Sequence, residues 1–182
     1  MRRRATSGGR AALILAGVVW SLNVAQAQSA TATQTLSANT LALGKLAVPG
    51  SVTLLAAGTH FSPYTGSLAV TYRIRTSPAG SGTITLQGGT DFTAGGPSIA
   101  AGNLTYTCGA PTLGTGCSGT QTVRVGQATP VASIPASACT GGGGACSAAD
   151  PNTVQVNLSL GNDPGYRTGS YSASLVFNIS SL

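Results

Sequence analysis

Apolar and polar residues alternate with a period of two along most of this chain. From Thr35 onward no stretch sustains the period of 3.6 that marks a helix. Ser67–Thr76 sends Leu68, Val70, Tyr72 and Ile74 to one side and Ala69, Thr71, Arg73 and Arg75 to the other. Thr153–Leu160 sets Val154, Val156, Leu158 and Leu160 against Thr153, Gln155, Asn157 and Ser159. Ser170–Ser180 reads Tyr171, Ala173, Leu175, Phe177 and Ile179 on one face. Shorter runs follow the same rule: Gly82–Gln87 (Ile84, Leu86), Asn103–Cys108 (Leu104, Tyr106, Cys108) and Thr120–Gly126 (Val123, Val125), with weaker ones at Thr35–Leu46 and Ser51–Leu55. Such alternation gives a strand with one dry and one wet face. About seven or eight of them, split by Gly, Pro, Asn and Asp, predict an all-β fold: an antiparallel two-layer β-sandwich. In Asn162-Asp163-Pro164-Gly165 the proline presets φ and the glycine takes the position that needs φ > 0. This turn is expected to join the last two strands as a hairpin-like unit. The Gly- and Pro-bearing stretches 88–102 and 126–150 are expected as surface loops.

Residues 1–27 have the order of an export signal. Arg2, Arg3, Arg4 and Arg10 precede the apolar run Ala11–Leu22, and Ala25-Gln26-Ala27 is a small-x-small cleavage site. The apolar run is too short for a stable membrane anchor. The sequence therefore divides into a signal peptide (1–27), a loose N-terminal segment (28–35) and a single sandwich domain (36–182). It points to an exported protein of the periplasm, cell surface or medium, with no membrane association after cleavage. The strongly basic balance belongs mostly to the signal. Beyond it, Lys45, Arg73, Arg75, Arg124 and Arg167 face three aspartates. No basic cluster remains to hold phosphates, which argues against nucleic acid as a partner.

Four cysteines in an exported chain point to disulfides. Three pairings are possible. The local ones, Cys108–Cys117 and Cys139–Cys146, are expected because each closes a Gly-rich loop. The spacings contain no C-x2-C knuckle, so zinc is not expected.

The composition leaves little for acid–base chemistry. There is no Glu; the carboxylates are Asp91, Asp150 and Asp163, and His60 is the one imidazole. Each aspartate sits in a turn sequence, where its carboxylate is expected to serve the backbone. No G-x-S-x-G elbow occurs, no metal-binding loop, and no phosphate loop follows the glycine runs. The sequence thus reads as a non-enzyme without cofactor or metal. Sugar-binding modules use aromatic rings as platforms; Phe61, Tyr64 and Tyr166 lie in loops and could serve. Tyr166 could equally be a corner residue whose hydroxyl ties down a turn.

The last strand carries the most specific pattern. Counting back from Leu182, Gly169 is fourteenth, and Leu175, Phe177 and Ile179 are eighth, sixth and fourth. Over residues 165–182 this resembles the C-terminal strand of pilus subunits assembled by the chaperone–usher route. The chain as a whole resembles secreted bacterial fimbrial and spore-coat-U-like β-sandwiches, which implies a sandwich of immunoglobulin-like or pilin-like type. It differs from them in having Ser181 next to last and all four cysteines between 108 and 146. The resemblance implies a structural or adhesive subunit of a surface fibre or coat. Its partners would be copies of itself or related subunits, and a periplasmic chaperone. Assembly would proceed by strand addition at an edge formed by Gly169, Tyr171, Leu175, Phe177 and Ile179, with Gln28–Ala38 of a neighbour as donor. An extracellular carbohydrate-binding module is the alternative.

Overall fold

The computed structural model describes residues 34–38, 41–56, 58, 60–76, 80–136 and 151–181. The chain divides into two units, Met1–Ala38 and Asn39–Leu182. Of the first, only residues 34–38 are described, and they carry no strand. The second holds ten strands. They are β1 (Leu43–Ala47), β2 (Leu55–Ala56), β3 (Tyr64–Arg75), β4 (Gly82–Thr90), β5 (Leu104–Cys108), β6 (Thr115–Gly116), β7 (Gln121–Thr122), β8 (Thr129–Ile134), β9 (Asn152–Leu160) and β10 (Ser174–Ser181). The count exceeds the expected seven or eight because β2, β6 and β7 are two-residue pieces, too short to leave a periodic signal.

All ladders are antiparallel and form two sheets. The first runs β1-β3-β9-β5-β7, with β2 also on β3; the second runs β10-β4-β8-β6. The alternation read from the sequence sets the register. Val70 of β3 lies opposite Val154 of β9, and Leu68 opposite Val156, so the apolar side chains of both strands share one face. These inner faces meet in a core in which Val70, Tyr72, Ile74, Ile84, Leu86, Ile99, Val123, Val131, Ile134 and Val156 are fully buried. Burying an aliphatic side chain of this size stabilises by roughly 1.5–3 kcal/mol.

Three expectations need correction. The stretch 126–150 is not all loop, because β8 runs through it and lies between β4 and β6. Its alternation is hidden by Pro130 and by a bulge: Ala132 faces Ile84 while Pro130 faces Thr85, so Val131 is supernumerary and both Val131 and Ala132 are buried. The turn after β9 forms, with Tyr166 N donating to Asp163 O at 3.0 Å, yet it does not make a hairpin. β9 pairs with β3 and β5, whereas β10 pairs with β4 in the other sheet, so residues 161–173 cross between layers. In the third case β7 stops at Thr122; Val123 is buried, but Val125 is exposed as the chain turns at Gly126 with φ of 68°.

One flank of the sandwich is laced shut. The chain leaves β5 in the first sheet, passes through β6 in the second and returns to β7 in the first. A disulfide joins Cys108 at the end of β5 to Cys117 just after β6. Cys139 and Cys146 lie outside the described residues. Tyrosine hydroxyls bridge the same flank: Tyr72 Oη donates to Leu113 O, and Tyr106 Oη donates to Pro130 O at 2.7 Å across the two sheets. Burial raises the pKa of both phenols, so they stay protonated donors. Replacing Cys108 and Cys117 together by Ser is expected to lower stability by about 2–3 kcal/mol, the loop-closure value for so short a ring, seen as a lower denaturant midpoint.

Asp91 organises the loop that caps one end. Its carboxylate accepts hydrogen bonds from the N–H groups of Phe92 (2.8 Å), Ile99 (2.6 Å) and Ala100 (3.2 Å) and from Ser98 Oγ (2.7 Å). This folds Ile99 back into the core. Burial opposes the charge, but these hydrogen bonds outweigh it and hold the Asp91 pKa below the ordinary carboxylate value. A depressed pKa contributes stability that is complete above the unfolded-state value, near 4, and lost as pH falls through the folded one. Asp91→Asn should therefore destabilise at neutral pH. Urea midpoints taken from pH 6 to pH 2 should show the gap between variant and wild type closing on the acid side.

Candidate functional site

The opposite flank is open. Among the described residues β10 has one ladder partner, β4, and its outer edge is unpaired. Across the gap, β1 pairs with Thr71–Arg75 of β3 and β2 with Tyr64 and Thr65. Between them residues 48–54 leave the ladder at Pro49-Gly50 and dip over the inner face of β3 at Gly66. Only a glycine fits there, since a Cβ would stand 2.8 Å from Leu54 Cδ2 and 2.9 Å from Thr53 O. The gap between this segment and β10 is a groove of about 980 Å³. Its floor is the core itself: Leu68, Leu104, Leu158 and Leu160. Leu175 and Phe177 line its β10 wall.

The groove has two unlike ends. At one, β1 meets β10: a Cβ on Gly44 would lie 3.1 Å from Ile179 Cγ1, so the glycine allows the two edges to pinch together. At the other, the loops carrying His60 and Phe61, Phe92 and Pro97, and residues 162–173 surround a wide mouth. These loops are tied to one another. Asn162 Nδ2 donates to Ser62 O at 3.1 Å, Arg167 N to Gly95 O at 3.0 Å, and the Tyr171 hydroxyl lies 2.6 Å from Arg167 O and 3.1 Å from Gly95 O. The Tyr171 ring rests on Gly96, where a Cβ would sit 2.1 Å from Cε1. His60 and Phe61 at the mouth both have positive φ, 43° and 56°. Burial and the negative charge of Asp163 raise the Tyr166 pKa, which keeps its hydroxyl protonated.

The residues singled out in the sequence fall on this map as follows. Leu175, Phe177 and Ile179 project between the sheets, half-buried; Leu175 and Phe177 line the groove, and Ile179 stands at its pinched end. Gly169 and Tyr171 do not belong to that strand. β10 begins at Ser174, because the Tyr171 hydroxyl anchors the preceding segment to Gly95 and Arg167, and the ladder has an irregularity at Ser174/Leu175. They line the mouth together with His60, Phe61, Tyr64, Asp163 and Tyr166. The corner role considered for Tyr166 is filled by Tyr171 instead. Cys108 and Cys117 are on the far, closed flank. Asp91 is engaged with the backbone of its own loop, and Asp150 lies outside the described residues, as does most of Gln28–Ala38. Ser51–Leu55 is expected as a weak strand, but residues 51–54 carry none: after the break at Pro49-Gly50 they line the groove instead, and the ladder resumes only at Leu55. Phe92 and Pro97, brought to the mouth by the Asp91 loop, gave no local signal.

No family model matches the chain, and no curated protein matches it significantly.

Gly96→Ala should force the Tyr171 ring off its seat and cost about 1–3 kcal/mol, the usual range for overpacking. A lowered melting temperature with altered near-ultraviolet dichroism would register both effects; Gly50→Ala, where a Cβ meets nothing within 4 Å, is the control.

Proposed function

We propose that this chain is an exported structural subunit of a surface fibre or coat, joined to its neighbours by strand addition. One observation carries the reading. The last strand has a free edge, and beside it the inter-sheet core lies open along a groove shaped for an extended segment. From Ala173 to Phe177 the wall is five residues long, about 13 Å at roughly 3.3 Å per residue. A strand laid there would bond to the exposed backbone of β10 and place alternate side chains over Leu68, Leu158 and Phe177. Leaving such an edge and such a floor uncovered invites association, and natural sandwiches usually protect them.

The donor in this reading is Gln28–Ala38 of a second copy or a related subunit. Within it Ala30, Ala32, Leu36 and Ala38 alternate with Ser and Thr, and Leu36 is the one large apolar side chain. Before assembly a periplasmic chaperone would cover the same edge. The resemblance of residues 165–182 to chaperone–usher pilins and spore-coat-U-like sandwiches supports this assignment, as does the Cys108–Cys117 disulfide, which fits an oxidising compartment. The role is mechanical and needs no catalytic group or cofactor. The scarcity of proton-transfer residues suits it.

Complementation tests the mechanism. Mature protein should form oligomers that increase with concentration in analytical ultracentrifugation. Leu36→Ser removes the donor plug and Phe177→Ser roughens the acceptor, so each variant alone should stay monomeric. Mixed together, they should restore one junction and give heterodimers. Wild-type protein that remains monomeric at high concentration, and that fails to bind a peptide of residues 28–40, would exclude strand addition.

A further inference from the structure

Aromatic side chains are few in this protein and unevenly spread. Of five tyrosines and three phenylalanines, Tyr72 and Tyr106 are sealed in the core. The other six, Phe61, Tyr64, Phe92, Tyr166, Tyr171 and Phe177, all line the groove, and all but Phe177 are gathered at its mouth. Tyr64, Phe92 and Phe177 pack partly against the core, but packing does not account for Phe61. Phe61 is 59% exposed, and it is held outward by two successive left-handed residues, His60 and Phe61. That backbone is costly for residues with a Cβ and persists only where surrounding structure enforces it. Here the enforcement keeps an apolar ring in water.

Polar groups suited to a ligand lie among the rings. Among the described residues, no hydrogen bond ends on the hydroxyls of Tyr64 or Tyr166, the imidazole of His60 or the guanidinium of Arg167. The mouth carries Arg167 and Asp163 as its charges, so it is close to neutral overall. The cross-ties from Asn162 to Ser62, and from Tyr171 and Arg167 to Gly95, fix the loops before anything binds.

We propose that the mouth of the groove is a carbohydrate-binding site for a neutral polysaccharide chain, with Phe61 and Tyr166 as the stacking platforms. A pyranose ring has an apolar C–H face and an equatorial rim of hydroxyls. The first stacks on an aromatic ring, and the second takes hydrogen bonds from the Tyr64 and Tyr166 hydroxyls, His60 and Arg167. Asp163 Oδ1 is already engaged with Gly165 N at 2.7 Å and serves to hold the turn that presents Tyr166. The site goes beyond strand addition and does not require it. It lies beyond the start of β10, whereas an added strand would lie along Leu175–Ile179. A fibre or coat built from such subunits would repeat the site once per subunit along its length.

The test uses mature protein on an array of neutral and acidic oligosaccharides, followed by calorimetry with the best neutral hit. Neutral glycans should bind. Phe61→Ala and Tyr166→Ala should each weaken binding about tenfold or more, with unchanged far-ultraviolet dichroism and melting temperature. Tyr64→Phe, which removes only a hydroxyl, should weaken it less. Phe177→Ser, in the strand slot, should leave glycan binding intact while abolishing self-association, so the two readings fail separately. Absence of binding to any neutral glycan at millimolar concentration would overturn the proposal. So would binding that survives both platform variants, or binding of acidic glycans alone that is lost in Arg167→Gln but kept in Phe61→Ala.

Discussion

A β-sandwich has to cover two things at once: the apolar inner faces of its sheets and the backbone groups along its outermost strands. This protein meets both demands on one flank and neither fully on the other. On the β5–β8 side, a chain that crosses between sheets, a disulfide and the hydroxyls of Tyr72 and Tyr106 bind the layers together. On the β10 side β1 and β10 approach each other where Gly44 admits Ile179, and toward Leu175 a groove opens between β10 and residues 48–54. The closed flank lets the open one exist. Val70, Val131, Ile134, Val154 and Val156 remain fully dry, while Leu175 and Phe177 are left half-covered.

The alternation of residues made most of the architecture legible. β3, β4, β5, β9 and β10 each occupy a stretch where the period of two is unbroken, and in each the dry face is the one the pattern names. What the pattern could not convey was membership. Alternation describes a strand's two faces but says nothing about its lateral neighbours. Hence the compact turn at Asp163-Pro164-Gly165 suggested a hairpin, although the strands on either side of it lie in different layers. β8 was hidden for a local reason, since a proline and a bulge place Val131 and Ala132 both inside.

The groove was the least legible feature, because it consists of a missing strand. The apolar residues of β10 were singled out from their alternation, yet a fully paired strand would have shown the same sequence. The difference lies in the detour of residues 48–54, which leave β3 without a continuous neighbour, and in the crossing at Gly66 that sends them inward. Likewise Phe61, Tyr64 and Tyr166 could be noted as loop aromatics. Their convergence with Phe92 and Tyr171 depends on loops up to 110 positions apart along the chain, from Phe61 to Tyr171.

The pinch between Gly44 and Ile179 gives the groove a blind end. Toward Ile179 the two edges leave no room for another side chain, so a segment laid in the groove from its mouth would stop there. Where giver and receiver are different parts of the same molecule, the rotation from one copy to the next decides whether successive joints close into a ring or run on as a fibre. One small residue at the meeting of two strands thus sets how far the slot beside β10 extends.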